Sequence, residues 1–178
     1  CGNNVFADTA GYVKCVKCGH EITKGDWQPS LIINDILSEE SIRTISSLDR
    51  FKQRVLRKCL FKSNFLLDVG SASGKFLYHS KAIFRRHMGI EVADPCADFA
   101  RGRLGLNIKR DISGIDGEIS VATFWHSLEH IPTEDIGTIF KSLNSNSSEN
   151  TRIIVSVPNN KSLQYTLFKE EYVYYDFP

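Results

Sequence analysis

An α/β fold built on a doubly wound, mostly parallel sheet is what this sequence predicts, on three observations. Phe65 to Val69 is a short, nearly unbroken apolar run, as expected of a strand buried on both faces. Gly70, Ser71, Ala72, Ser73 and Gly74 follow as a small-residue turn, and Lys75 to Phe84 then reads as a helix. Further short apolar runs alternate with segments of helical period as far as Val157, the pattern of repeated strand–helix units.

The chain has 178 residues, 42% of them hydrophobic, and a formal charge of +1, which suits one globular domain plus a small appendage. So even a balance gives no global basic field, and no nucleic acid partner is expected. No apolar run approaches the roughly 20 residues needed to span a bilayer. No basic-plus-apolar leader opens the chain, so a cytoplasmic protein with no membrane partner is expected. The five cysteines are Cys1, Cys15, Cys18, Cys59 and Cys96. Their crowding at the start reads as a metal site plus core thiols, not a disulfide framework. The chain opens on Cys1 without an initiator methionine, as a fragment would.

Residues 1–25 carry Cys1-Gly2, then twelve residues, then Cys15-Val-Lys-Cys18-Gly19. Zinc ribbons pair two Cys-x-x-Cys-Gly knuckles whose turns aim thiolates at one ion. The second knuckle is complete, and Cys1-Gly2 matches the back half of a first. Cys1, Cys15 and Cys18 are therefore candidate ligands of a structural zinc, with His20 poorly spaced as a fourth; the alternative is an unmetallated arm. Residues 26–63 form a helical bridge. Ile36, Leu37, Ile42, Ile45 and Leu48, then Phe51, Val55, Leu56, Cys59 and Leu60, recur at helical spacing. Arg50, Lys52, Arg54, Arg57 and Lys58 are expected on a solvated face.

Residues 64–178 form the main domain. Its opening strand, turn and helix make a nucleotide-binding corner, where backbone can approach a ligand and a helix N-terminus offers N–H groups. Phe76, Leu77, Ile83 and Phe84 supply the helix's buried face. Arg86 to Glu91 is a second strand ending on an acid, 23 residues beyond Asp68. An acid there accepts hydrogen bonds from ribose hydroxyls; the alternative is a solvated strand-end glutamate. Asp94-Pro95 opens a helix that Gly105 ends. Leu106–Arg110 is the third strand and Ile119–Trp125 the fourth. Thr133 starts a helix with the stripe Ile136, Ile139, Phe140 and Leu143. Asn144–Asn150 reads as a surface turn, and Arg152–Val157 as the fifth strand. The tail from Ser162 carries six aromatics, which require a partner surface.

Taken together, these blocks resemble the class I S-adenosylmethionine-dependent methyltransferases, with a Rossmann-like sheet, over about residues 49 to 178. The nearest look is to small-molecule methyltransferases with an N-terminal zinc knuckle. Leu67-Asp-Val-Gly-Ser-Ala-Ser-Gly74 is similar to the family's cofactor motif, and Gly89-Ile-Glu91 to its ribose-binding strand end. Phe124-Trp-His-Ser-Leu-Glu-His-Ile-Pro132 resembles the block after strand four, and Val155-Ser-Val-Pro-Asn159 the fifth strand and its exit. A plain NAD-binding Rossmann domain lacks the Trp-His-x-Leu-Glu-His block.

By position, the resemblance implies that Asp68, Gly70, Ser71 and Gly74 line the methionine and ribose portion of S-adenosylmethionine. Glu91 takes the ribose hydroxyls, Val92 flanks the adenine with Ala93, and Asp111 with Ile112 meets its edge. Phe124, Trp125 and His126 lie beneath the methyl-sulfonium. His126 is the candidate catalytic base, while Glu129 and His130 are read as a hydrogen-bonded turn. Ala72 stands where the family has its middle glycine, which is tolerable if its φ stays negative. The family's closing antiparallel strand pair is expected to be truncated here. The implied activity is methyl transfer to oxygen or carbon of a sugar or other hydroxylated small molecule. The rival is a catalytically inactive binding module of the same fold.

Overall fold

The computed structural model describes residues 6–9, 12–15, 21–23, 37–58, 65–159 and 161–168, with the backbone alone at 6–9, 12–15, 21–23, 164, 165 and 168. The chain divides into two compact units, residues 1–30 with 158–178 and residues 31–157. In the first, β1 (Phe6–Thr9), β2 (Tyr12–Cys15) and β3 (Glu21–Thr23) form an antiparallel sheet in that order. Only two residues separate β1 from β2, the shortest common hairpin connection. Cys1 and Cys18 lie outside the described residues. Cys15 ends β2, and its side chain is not described. Among the described residues no cluster of His, Cys, Asp or Glu could hold a metal ion.

The second unit begins with α1 (Glu39–Arg43), where the Ser38 hydroxyl accepts the Ser41 N–H at 3.0 Å. α2 (Ser47–Lys58) starts on a reciprocal cap. The Ser46 hydroxyl accepts the Asp49 N–H at 3.1 Å while the Asp49 carboxylate accepts the Ser46 N–H at 2.8 Å. There follow β4 (Phe65–Val69), α3 (Lys75–Ser80), β5 (Arg86–Ile90), α4 (Asp94–Leu104), β6 (Ile108–Lys109) and β7 (Ile119–Trp125). A 3₁₀ turn (Leu128–His130), α5 (Thr133–Ser145) and β8 (Ser147–Ser156) complete the unit. The first unit holds one further helix, α6 (Leu163–Phe168).

The five strands β4–β8 are all parallel, in the order β6-β5-β4-β7-β8. The order reverses at β4, which makes the gap between the ends of β4 and β7 the topological switch point, where such sheets bind ligands. Alternation along each strand sends side chains to two cores. Phe65, Leu67, Val69, Ala122 and Phe124 pack with Leu143 and the partly buried Ile139 and Phe140 of α5. Leu66 and Val121 pack on the other face with Leu56 of α2, Phe76 and Leu77 of α3, and Ala97 and Ala100 of α4. Burial on both faces is why Phe65–Val69 reads as a continuous apolar run.

Three boundaries differ from the sequence expectation. α3 stops at Ser80, and Ile83 and Phe84 reach the core from the turn beyond it. β6 is two residues long. Residues 144–150 are not a plain turn: α5 runs to Ser145 and β8 starts at Ser147, with a register irregularity between Ile119 and Val121. Side chains substitute for ladder partners there. Thr151 Oγ1 accepts the Ser148 N–H at 2.9 Å and donates to the Ile119 carbonyl at 2.6 Å. Among the described residues no helix is long and apolar enough to cross a membrane.

Candidate functional site

The loop after β4 is fixed from both sides. The N–H groups of Gly70 and Ser71 both donate to the Ile90 carbonyl, at 2.8 and 3.0 Å, drawing the loop across the end of β5. Ser127 Oγ donates to the Val69 carbonyl at 2.5 Å. Gly70 has φ +76°, and a Cβ there would overlap the Ser127 side chain, so only glycine fits. Ala72 departs from expectation: its φ is +47°, in the left-handed region. A non-glycine residue there costs on the order of 1 kcal/mol. Its N–H donates to Glu91 Oε2 at 2.7 Å, and the Ala93 N–H donates to Glu91 Oε1 at 2.8 Å. Glu91 thus clips the loop to the end of β5 with both oxygens. Val92 beside it is 62% exposed.

Asp68 points to the α2–α3 face, as its even position with Leu66 requires. Thr123 is its register partner on β7, and Thr123 Oγ1 donates to Asp68 Oδ1 at 2.7 Å. Full burial pushes the Asp68 carboxyl up to about 7; the Thr123 bond and Lys52 oppose that shift and Glu91 adds to it. Lys52 is a correction to the sequence reading. It does not sit on a solvated face but turns inward, with Nζ 5.2 Å from the Trp125 ring centroid and 5.7 Å from that of Phe76. The two rings meet edge to face at 5.5 Å. The expected apolar stripe of α2 is rotated to match: Asp49 and Leu56 are buried, while Leu48 and Phe51 are exposed.

At the end of β7, Trp125 and His126 leave the sheet beside the switch point. His126 has φ +54°, and its N–H donates to the Ser156 carbonyl at 2.8 Å. Its Nε2 lies 3.2 Å from Ser156 Oγ and its Nδ1 3.6 Å from the Glu129 carboxylate. Burial pushes the imidazole pKa down, Glu129 opposes this, and Lys52 and His130 lower it further. Glu129 and His130 lie on the 3₁₀ turn, which the His130 N–H closes on the Ser127 carbonyl at 3.1 Å.

The structure therefore brings Asp68, Gly70, Ser71, Gly74, Glu91, Val92, Trp125 and His126 to the C-terminal ends of the central strands β5, β4 and β7. Three expected residues stand apart. The Phe124 ring is fully buried on the α5 face, stacked on Phe140 at 5.7 Å. The Ile112 side chain is in the same core. Asp111 is exposed and accepts the Ser113 N–H at 2.7 Å and its hydroxyl, bonds that hold its carboxyl below the usual range. Sequence reasoning missed Thr123, Ser127 and Lys52. Lys52 was detectable, because it lies four residues before the buried Leu56 and three after the buried Asp49 on one helical face.

Residues 41–177 match the methyltransferase domain family. The chain belongs to that family. None of the curated proteins matches it. Among solved structures, this methyltransferase-family chain is similar to a SAM-dependent methyltransferase from Archaeoglobus fulgidus, with 20% identity and a TM-score of 0.57, covering 72% of this chain and 60% of that one. It is similar to an amino pentose methyltransferase from Micromonospora echinaspora involved in calicheamicin biosynthesis (16% identity, TM-score 0.57, covering 76% and 60%). It is also similar to a sugar N-methyltransferase from Streptoalloteichus (15% identity, TM-score 0.57, covering 76% and 57%). At these identities the likeness is one of fold, and the chain spans about 60% of the length of the first two proteins.

Proposed function

We propose that this chain is the donor-binding core of a S-adenosylmethionine-dependent methyltransferase acting on a small molecule, a sugar or another hydroxylated metabolite. Residues 64–178 are its cofactor-binding domain and 26–63 its helical bridge. The observation that carries the reading is Glu91, a carboxylate at the tip of β5 facing the Gly70–Gly74 loop. Each of its oxygens holds one backbone N–H, which leaves acceptor capacity for both hydroxyls of a ribose. The exposed Val92 supplies apolar surface for an adenine. α3 is only six residues long, so the fit rests on the glycine loop and Glu91 more than on a helix dipole.

S-adenosylmethionine, when bound, supplies an already activated methyl group. The protein's task is then to align donor and acceptor and to exclude water. Trp125 and His126 are the residues for the acceptor side. Glu129 beside Nδ1 favours the tautomer with its proton there and leaves Nε2 to accept a proton, with the Ser156 hydroxyl holding the ring meanwhile. The lowered pKa keeps the imidazole neutral near pH 7, as a base requires. The sugar reading is supported by the two sugar methyltransferases that share the fold.

The test is transfer of an isotopically labelled methyl group to a panel of sugars, amino sugars and hydroxylated metabolites, read by mass spectrometry. Labelled product from at least one acceptor class is expected. Donor binding with no acceptor methylated would favour a second reading, a binding module that retains the fold without turnover. The strained Ala72 is the observation on that side.

A further inference from the structure

The donor corner contains a cation that its own surroundings do not use. Several other cations bordering it are engaged. Lys75 pairs with Asp49 at 3.1 Å, Arg110 pairs with Asp94, and Lys109 donates to the Gly114 carbonyl at 2.7 Å. Asp49 in turn is held by the Ser46 N–H and hydroxyl. Lys52 differs. Among the described residues no carboxylate lies within ion-pair distance of its Nζ and no oxygen accepts from it; its neighbours are the faces of Trp125 and Phe76.

A half-buried ammonium is costly to desolvate, and ring faces return only part of that cost. Burial pushes the Lys52 pKa down, while the charges of Asp68 and Asp49 pull it back up. Asp68 offers it a poor counter-ion, because that carboxyl is itself held toward its neutral form and is spent on Thr123. The location is specific as well. Phe76 lies in the first turn of α3, directly after the Gly70–Gly74 loop, and Trp125 ends β7. The ammonium therefore stands at the switch point between the loop and His126, and His126 senses its charge.

We propose that Lys52 is a positioning residue that binds the carboxylate of the donor's amino-acid tail, with Trp125 and Phe76 holding the ammonium in place beforehand. The assignment rests on the donor-binding reading above. The carboxylate of such a tail would meet in Lys52 an opposite charge that no carboxylate among the described residues pairs. Anchoring the tail would fix the sulfonium relative to His126, so Lys52 acts on geometry and takes no part in bond making.

The test uses the full chain and two ligands in calorimetry: S-adenosylhomocysteine, and its decarboxylated analogue, which keeps the amine but lacks the carboxylate. Lys52→Met should weaken S-adenosylhomocysteine by roughly tenfold to a hundredfold, the range of a charge-assisted hydrogen bond, and leave the decarboxylated analogue within about twofold. Lys52→Arg, which keeps the charge, should recover most of the loss. Equal weakening of both ligands, or none of either, would overturn the Lys52 assignment while leaving donor binding intact. If Lys52→Met does not fold, the wild-type preference for the carboxylated ligand together with the Lys52→Arg affinity decides: no preference overturns the assignment. Silence with both ligands on the wild type would overturn the donor-binding reading, and this inference with it.

Discussion

At the β4–β5 corner the Gly70–Gly74 loop is clamped by Ile90, Ser127 and Glu91, and the strands beneath it are buried on both faces. Two strands from β4, β8 forms one edge of the sheet, where Ile153, Val155 and the following Val157 are 44–48% exposed. Both regions descend from similar apolar runs, but they are constrained differently. The corner is assembled from residues 65–93 with the end of β7, and its loop is held by hydrogen bonds from several sides, although Ser71 Oγ and Trp125 Nε1 are buried with no hydrogen-bond partner among the described residues. The β8 edge has one packed face, through Ile154, and one open face.

The contrast can be broken most severely at Gly70. Gly70→Ala combines a positive φ with a clash against Ser127 and should cost about 3 kcal/mol of unfolding free energy in denaturant titrations. A cost below about 1 kcal/mol would mean that the loop is less constrained than described. Next in size is His126→Ala, expected to reduce turnover about a hundredfold while donor affinity changes less than about twofold. Parallel losses in both would reassign His126 to packing. The pH profile of turnover should fall on the acid side, with a midpoint below the ordinary histidine value, as the ring takes up its proton.

Asp68 gives a stability test in the same corner. Its folded pKa, about 7, lies above its ordinary value of 3.8, so the folded state holds this proton more tightly than the unfolded one. The resulting stabilisation is complete below about pH 4 and is lost as pH rises through 7. Asp68→Asn keeps an acceptor for Thr123 and cannot ionise, so the decline in melting temperature between pH 4 and 7 should be shallower than in the wild type. The groups facing it are Thr123, Lys52 and Glu91, and an unchanged slope would show that Asp68 is charged throughout. The smallest effect is expected at the open edge. Val155→Ser should shift stability by less than about 0.5 kcal/mol, because much of that side chain is already in water.

Most of the corner was legible in the sequence because its requirements are local. An apolar run ending at Val69, two glycines and an acid after the second strand translate directly into strand, turn and strand tip. Lys52 was harder to place because it is charged and sits among four other basic residues; only its phase relative to Leu56 marks it as inward. Phe124 was misplaced for a related reason. Alternation puts Phe124 and Trp125 on opposite faces, so the cleft receives the second and the α5 core the first. The irregular start of β8 was not legible at all, since Ser148 and Thr151 complete the ladder with side chains that read as loop formers.

The claim that this corner binds S-adenosylmethionine is tested most directly by titrating S-adenosylhomocysteine into the wild-type chain and into Glu91→Ala. The account predicts saturable one-site binding by the wild type and a loss of about a hundredfold in the variant, as two hydrogen bonds to a charged group disappear. No heat from the wild type, or equal affinity in the two proteins, would contradict it.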